Sequence, residues 1–196
     1  VLFCVAVIYG TKLVKGSGGT FSSIPISPRA KGNPEAPLKI IEFLDFQCPA
    51  CAKGALFLDD VIRNKPQELY LEVKYFPLER THRHAVRSAR YAECAAAQGK
   101  FWPVADLILK RQSEWKDLIN PDPVFGEICQ SAQLDFKKLE VCLANEATTD
   151  AVFKDKKEGQ SRGVQSTPTY FVNEKMVVGF NSLESELMSH SGRIKN

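Results

Sequence analysis

Hydrophobic and polar positions change period several times along the chain, and each change predicts a different element. Leu38 to Asp45 carries apolar residues on both alternating faces, with Glu42 the exception, as expected of a strand buried in the middle of a sheet. Pro49, just after Cys48, suits the first position of a helix, and Cys51, Ala55, Leu58 and Ile62 then recur at helical spacing. Leu69, Leu71, Val73 and Tyr75 alternate with Tyr70, Glu72 and Lys74, giving a second, half-buried strand that ends at Pro77. The unit is β-α-β.

The region from about 82 to 147 reads as helical throughout. An Ala-rich stripe (Ala85, Ala89, Ala92, Ala96) ends at Gly99, Phe101, Ala105 and Ile108 continue on a second helix, and Pro121 and Pro123 interrupt. Phe125, Ile128, Cys129 and Ala132 form another stripe, and Asp135 is placed to cap a helix carrying Phe136, Leu139, Cys142 and Leu143. A polar helix is predicted over about 149–160. Alternation returns from Pro168 to Val172, Asn173-Glu174-Lys175 closes a hairpin with Met176 to Val178, and a short helix is predicted over 183–188.

At the other end, Val1 to Tyr9 is a continuous apolar run, too short by itself to span a bilayer. We read residues 1–14 as the remnant of a signal peptide or signal anchor, with a packed apolar segment as the alternative. Residues 15–35, rich in Gly, Ser and Pro, read as a linker, which puts the compact domain at 36–196.

Composition narrows the class. With 196 residues, 44% hydrophobic and 25% charged, the chain reads as a globular protein, excluding collagen-like, mostly disordered and polytopic membrane classes. A net charge of +3, spread without blocks, gives no argument for nucleic acid as a partner. Six cysteines are enough for a reactive pair plus a staple.

Cys48-Pro49-Ala50-Cys51 supplies either a small disulfide ring or half of a zinc site. Zinc needs a second pair of ligands, and His82 with His84 lacks the usual intervening spacing, so we expect no metal and no cofactor. Placement favours redox chemistry: at a strand end that opens a helix, unpaired N–H groups and the helix dipole stabilise a thiolate at Cys48. His82 and His84, in a highly charged stretch, read as solvated helix-start residues.

The run from Ile41 to Cys51, with Ser166-Thr167-Pro168-Thr169-Tyr170-Phe171-Val172-Asn173, resembles the DsbA-like branch of the thioredoxin superfamily. The resemblance extends from about Ala36 to the last helix and includes Cys94 followed by Gln98-Gly99-Lys100-Phe101-Trp102. It implies an α/β thioredoxin fold, a central mixed sheet flanked by helices, with an inserted helical subdomain. It also assigns roles. Cys48 is the nucleophile and Cys51 resolves the mixed disulfide; Pro49 and Ala50 complete the active-site loop; Pro168 is cis, and Thr167-Pro168 presents an edge to substrate. Glu42, six residues before Cys48, would be a buried acid serving Cys51 as a proton relay, the alternative being a strand-end Glu reaching solvent. Asp45 reads as a loop or capping residue. Some members of the branch are stapled between the places held here by Cys94 and Cys142; Cys129 to Cys142 is the other pairing weighed, with free buried thiols for the rest.

The activity implied is an extracytoplasmic thiol:disulfide oxidoreductase acting on unfolded or partly folded polypeptides and reset by a membrane or soluble redox partner. An oxidant is expected from a stabilised thiolate, although Ala50 stands where the most oxidising members carry a His. The alternatives are a reductase or isomerase, or a chaperone-like peptide-binding module with a structural CxxC.

Overall fold

The computed structural model describes residues 27–191. The apolar run at 1–14, Cys4 within it and most of the expected linker lie outside the described residues. Five strands form one mixed sheet: β1 (Ala30–Gly32), β2 (Leu38–Leu44), β3 (Leu69–Tyr75), β4 (Thr169–Val172) and β5 (Lys175–Val178), in the order β1-β3-β2-β4-β5. Only β2 and β3 run parallel, joined across α1 (Pro49–Asn64); the other pairs are antiparallel.

Strand β2 lies second from neither edge, and its alternation serves two cores. Leu38, Ile40 and Leu44 enter the larger one, with α1, β3 and the helical insertion, whereas Phe43 joins Phe76, Val164 and Phe171 in a smaller one. Glu42 shares the parity of Ile40 and Leu44, so the pleat turns its carboxyl into the larger core.

The insertion comprises α2 (Ala85–Ala96), α3 (Phe101–Lys110), α4 (Gln112–Trp115), α5 (Asp122–Ser131) and α6 (Phe136–Ala144). Trp115, Phe125, Ile108 and Val104 are fully buried within it. Asp135 caps α6 by accepting from Lys138 N–H, as its sequence position predicts. Asn145 does the same for α7 (Glu146–Ser161), accepting from Ala147 N–H, and so starts that helix earlier than its polar pattern suggests. The prolines expected to interrupt instead begin α5: Pro121 is its cap residue and Pro123 lies in the first turn, where a missing N–H costs nothing. The β4–β5 hairpin turns through two residues, Asn173 and Glu174, both at positive φ, and α8 (Phe180–Ser191) closes the fold.

Strand β1 corrects the expected linker, which does not reach residue 35. Its three residues pair antiparallel with β3, and the segment is fastened to the helices by side chains. Trp102 Nε1–H donates to Ala30 O at 3.0 Å, Lys31 Nζ lies 4.0 Å from the Trp102 ring centroid, and Arg29 pairs with Asp155 of α7. Gly32, at φ +90°, permits the close approach, since a Cβ there would sit 2.1 Å from Leu69 O.

Candidate active site

The site is built where β2 ends and α1 begins. Cys48 is the cap residue of α1 in extended conformation, and Pro49 follows inside the helix. The Cys48 carbonyl accepts from the N–H groups of Cys51 and Ala52, so the side chain is held at the helix mouth. Both cysteines of the pair are free thiols; Cys48 keeps 7% exposure and Cys51 none. Both are buried, but Cys48 keeps a narrow opening to solvent and Cys51 has none.

The electrostatics separate the two thiols further. Cys48 is brought down to about 6, chiefly by a hydrogen bond from the Cys51 thiol; burial opposes the shift, and the Cys51 N–H, Thr167 and the Ala50 N–H add to it. Cys51 moves the other way, well above an ordinary thiol, because burial and the neighbouring Cys48 both penalise its charged form. At pH 7 a thiol titrating near 6 is about nine-tenths thiolate, so Cys48 is largely charged while Cys51 keeps its proton. Cys48 Sγ lies 3.4 Å from the Thr167 carbonyl oxygen, and the Thr167–Pro168 peptide is cis. The structure thus brings Cys48, Pro49, Ala50, Cys51, Thr167 and Pro168 into one place.

Glu42 is 1% exposed, which removes the solvent-reaching alternative. Burial pushes its carboxyl up to about 8, against the Tyr170 hydroxyl and Lys31, which pull it down. Neither Glu42 Oε1 nor Tyr170 Oη has a well-formed hydrogen bond. Gly54 of α1 makes the room for this pair, because a Cβ there would lie 2.0 Å from Tyr170 Oη. An ionised Glu42 raises Cys51 in turn, so the two groups are electrostatically linked.

Sequence reasoning missed what holds the loop. Asp45, expected to be a loop or capping residue, is buried: Oδ1 accepts from Gln47 N–H at 2.8 Å, and Oδ2 accepts from Leu78 N–H and His82 Nδ1–H, each at 2.8 Å. His82 is accordingly half-buried against Asp45, and His84 is withdrawn from solvent. His84 is buried with Nε2–H donating to Leu118 O at 2.7 Å, and its own N–H donates to Gln47 Oε1 at 2.7 Å. Gln47 Nε2 donates to Lys116 O, and Gln112 Nε2 donates to Phe46 O at 2.7 Å and to Cys48 O at 3.1 Å. The insertion therefore grips the backbone of the loop that carries Cys48. The charged surroundings of His82 and His84 pointed to solvent, whereas buried backbone carbonyls and carboxylates claimed their N–H groups.

Cys94 and Cys142 form a disulfide joining α2 to α6, with Cα atoms 5.7 Å apart. Cys129 is a separate buried thiol, pushed up to about 11 by desolvation, so the Cys129–Cys142 alternative falls.

With this geometry in place, comparison with known proteins decides the family. The Thioredoxin_4 family, described as thioredoxin, matches residues 26–188. The chain belongs to the thioredoxin family. Among solved structures, this thioredoxin-family chain is similar to oxidised BdbD from Bacillus subtilis, with TM-score 0.73, 18% identity and coverage of 86% of this chain and 93% of that one. It is also similar to α-DsbA1 from Wolbachia pipientis, with TM-score 0.68, 17% identity and coverage of 82% and 87%. At these identities the likeness is one of fold, and it agrees with the DsbA-like resemblance carried by the sequence. A curated relative, named Na(+)/H(+) antiporter NhaA 1, from Mycolicibacterium gilvum (strain PYR-GCK), is 33% identical over 156 residues, which cover 77% of this chain and 24% of that protein. The chain thus spans about a quarter of the length of the curated relatives it matches. Among the described residues no helix is long and apolar enough to cross a membrane.

Proposed function

We propose that this protein is an extracytoplasmic thiol:disulfide oxidoreductase that oxidises substrate polypeptides. The observation that carries the reading is the split between the two sulfurs, one a thiolate at a helix mouth with a narrow opening to solvent and the other fully enclosed and protonated. In the oxidised protein a substrate thiolate attacks Cys48 Sγ; the Cys48–Cys51 bond breaks, and Cys51 leaves with the electron pair. Glu42, when neutral, supplies the proton that Cys51 then holds. A second substrate thiolate attacks the substrate sulfur of the mixed disulfide and expels Cys48 as thiolate. The substrate loses two electrons and gains a disulfide; the protein gains a dithiol and is reset by a redox partner. Sulfur alone carries the electrons, so no cofactor enters.

A stabilised Cys48 thiolate favours the reduced protein and hence makes its disulfide oxidising. The Cys94–Cys142 bond supports an oxidising compartment. The antiporter name belongs to the longer relatives, and we take the segment they share with this chain to be a redox module. The test is the reduction potential of the Cys48–Cys51 pair in glutathione buffers. A potential well above about −270 mV, the thioredoxin value, is expected. One at or below it makes the protein a reductase.

A further inference from the structure

Cys48 stands between two clefts. One, of about 420 Å³, is lined by Gln47, the residue before it, together with Glu79, Arg80, Arg83, Lys116 and Asp117. The other, of about 550 Å³, is lined by Pro49 and Ala50, the residues after it, with Lys53 and the segment from Val178 to Ser182. Because the residues on either side of Cys48 line these two surfaces, a polypeptide whose cysteine reaches Cys48 has both within reach of its flanks.

Their charges do not balance. In the first cleft Glu79 is taken by Lys156, and Asp117 lies 3.3 Å from Lys116. Arg80 and Arg83 are exposed and have no acidic partner among the described residues. In the second cleft Lys53 is the sole charged lining residue, again exposed and without an acidic partner among the described residues. Each cleft beside the loop therefore presents exposed cations that no carboxylate of the described residues neutralises, in a chain whose overall surplus is only +3.

We propose that the protein selects substrates carrying aspartate or glutamate beside the reacting cysteine, read by Arg80 and Arg83 in one cleft and by Lys53 in the other. The inference rests on the reading of the protein as a thiol:disulfide oxidoreductase and names its substrate class. Exposed charges of this kind act mainly on encounter, raising association rates at low salt and losing that effect once the Debye length shrinks. A substrate carboxylate also finds a forked, always-charged partner in each guanidinium.

The experiment measures second-order rates of exchange between the oxidised full chain and three dithiol peptides that share one cysteine pair and differ only in acidic, neutral or basic flanks. At about 0.05 M salt the acidic peptide should react about tenfold or more faster than the basic one, and the ratio should fall toward one at about 0.5 M. In the Arg80→Glu/Arg83→Glu variant the low-salt preference should invert, and Lys53→Glu should reduce it. Because each result is a ratio between peptides on one protein, changes in the protein's stability or thiol reactivity cancel, and dividing each rate by that peptide's rate with oxidised glutathione removes the effect of the flanks on the peptide thiols themselves. Equal rates for the acidic and basic peptides overturn this inference alone. No exchange with any peptide overturns the oxidoreductase reading and this inference with it.

Discussion

The two thiols differ in access as well as in charge, so the variants should fail differently. Cys48→Ser removes the attacking sulfur and should abolish exchange, whereas Cys51→Ser leaves Cys48 unable to escape its partner and should accumulate mixed disulfides on non-reducing gels. Equal trapping by both variants would reverse the assignment. The carboxyl of Glu42 makes a second residue-scale prediction through linkage. Its folded pKa, about 8, exceeds the ordinary value of 4.5, so its contribution to stability is fully present below 4.5 and is lost as pH rises toward 8. Glu42→Gln should remove that slope, and the difference between the two proteins should reach the order of a few kcal/mol by pH 8 in urea titrations at stepped pH. Cys48 works in the opposite sense. Its folded pKa, about 6, is depressed from 9.0, so the stabilisation of the reduced protein is present above 9 and is lost as pH falls through 6. The gap in stability between reduced and oxidised protein should shrink across that range.

At the scale of elements, α1 meets β4 where Gly54 faces the Tyr170 hydroxyl. Gly54→Ala would ordinarily favour a helix, but its methyl would collide with Tyr170 Oη inside the core. A loss of about 1–3 kcal/mol is expected, as for overpacking, and Tyr170→Phe in the same chain should restore most of it, since that hydroxyl has no well-formed hydrogen bond to lose. A double-mutant cycle by urea denaturation checks this; an additive cycle would mean that the helix shifts instead. The elements legible in the sequence are those whose pattern is local. The buried run of β2, the alternation of β3 and the Asp135 cap each declare themselves within a few residues. Strand β1 does not, because Ala30-Lys31-Gly32 has no apolar alternation and owes its place to β3, Trp102 and Asp155, all distant in sequence. The CxxC and Thr167-Pro168 were legible as residue types at fixed positions. Gln112 and Asp45 as anchors of the loop were not, since nothing near either marks the backbone groups it meets across the fold.

At the scale of the whole molecule, the start of α1 carries the thiols, the insertion stabilises their loop, and the Cys94–Cys142 bond staples that insertion between α2 and α6. Replacing both cysteines with Ala opens a bridge of sequence separation 48 and should cost about 2–5 kcal/mol, read as a lower urea midpoint. Exchange by the folded variant should persist, because neither sulfur touches Cys48. The staple has a further consequence for the life of the protein. A newly made copy arrives with Cys94 and Cys142 as thiols, so on the proposed reading it begins as a customer of the trade it would later practise. Its maturation needs an oxidant already at work, and under the oxidant role proposed above a mature copy that meets those thiols in an unfinished sister would be one such oxidant, making the population partly its own midwife.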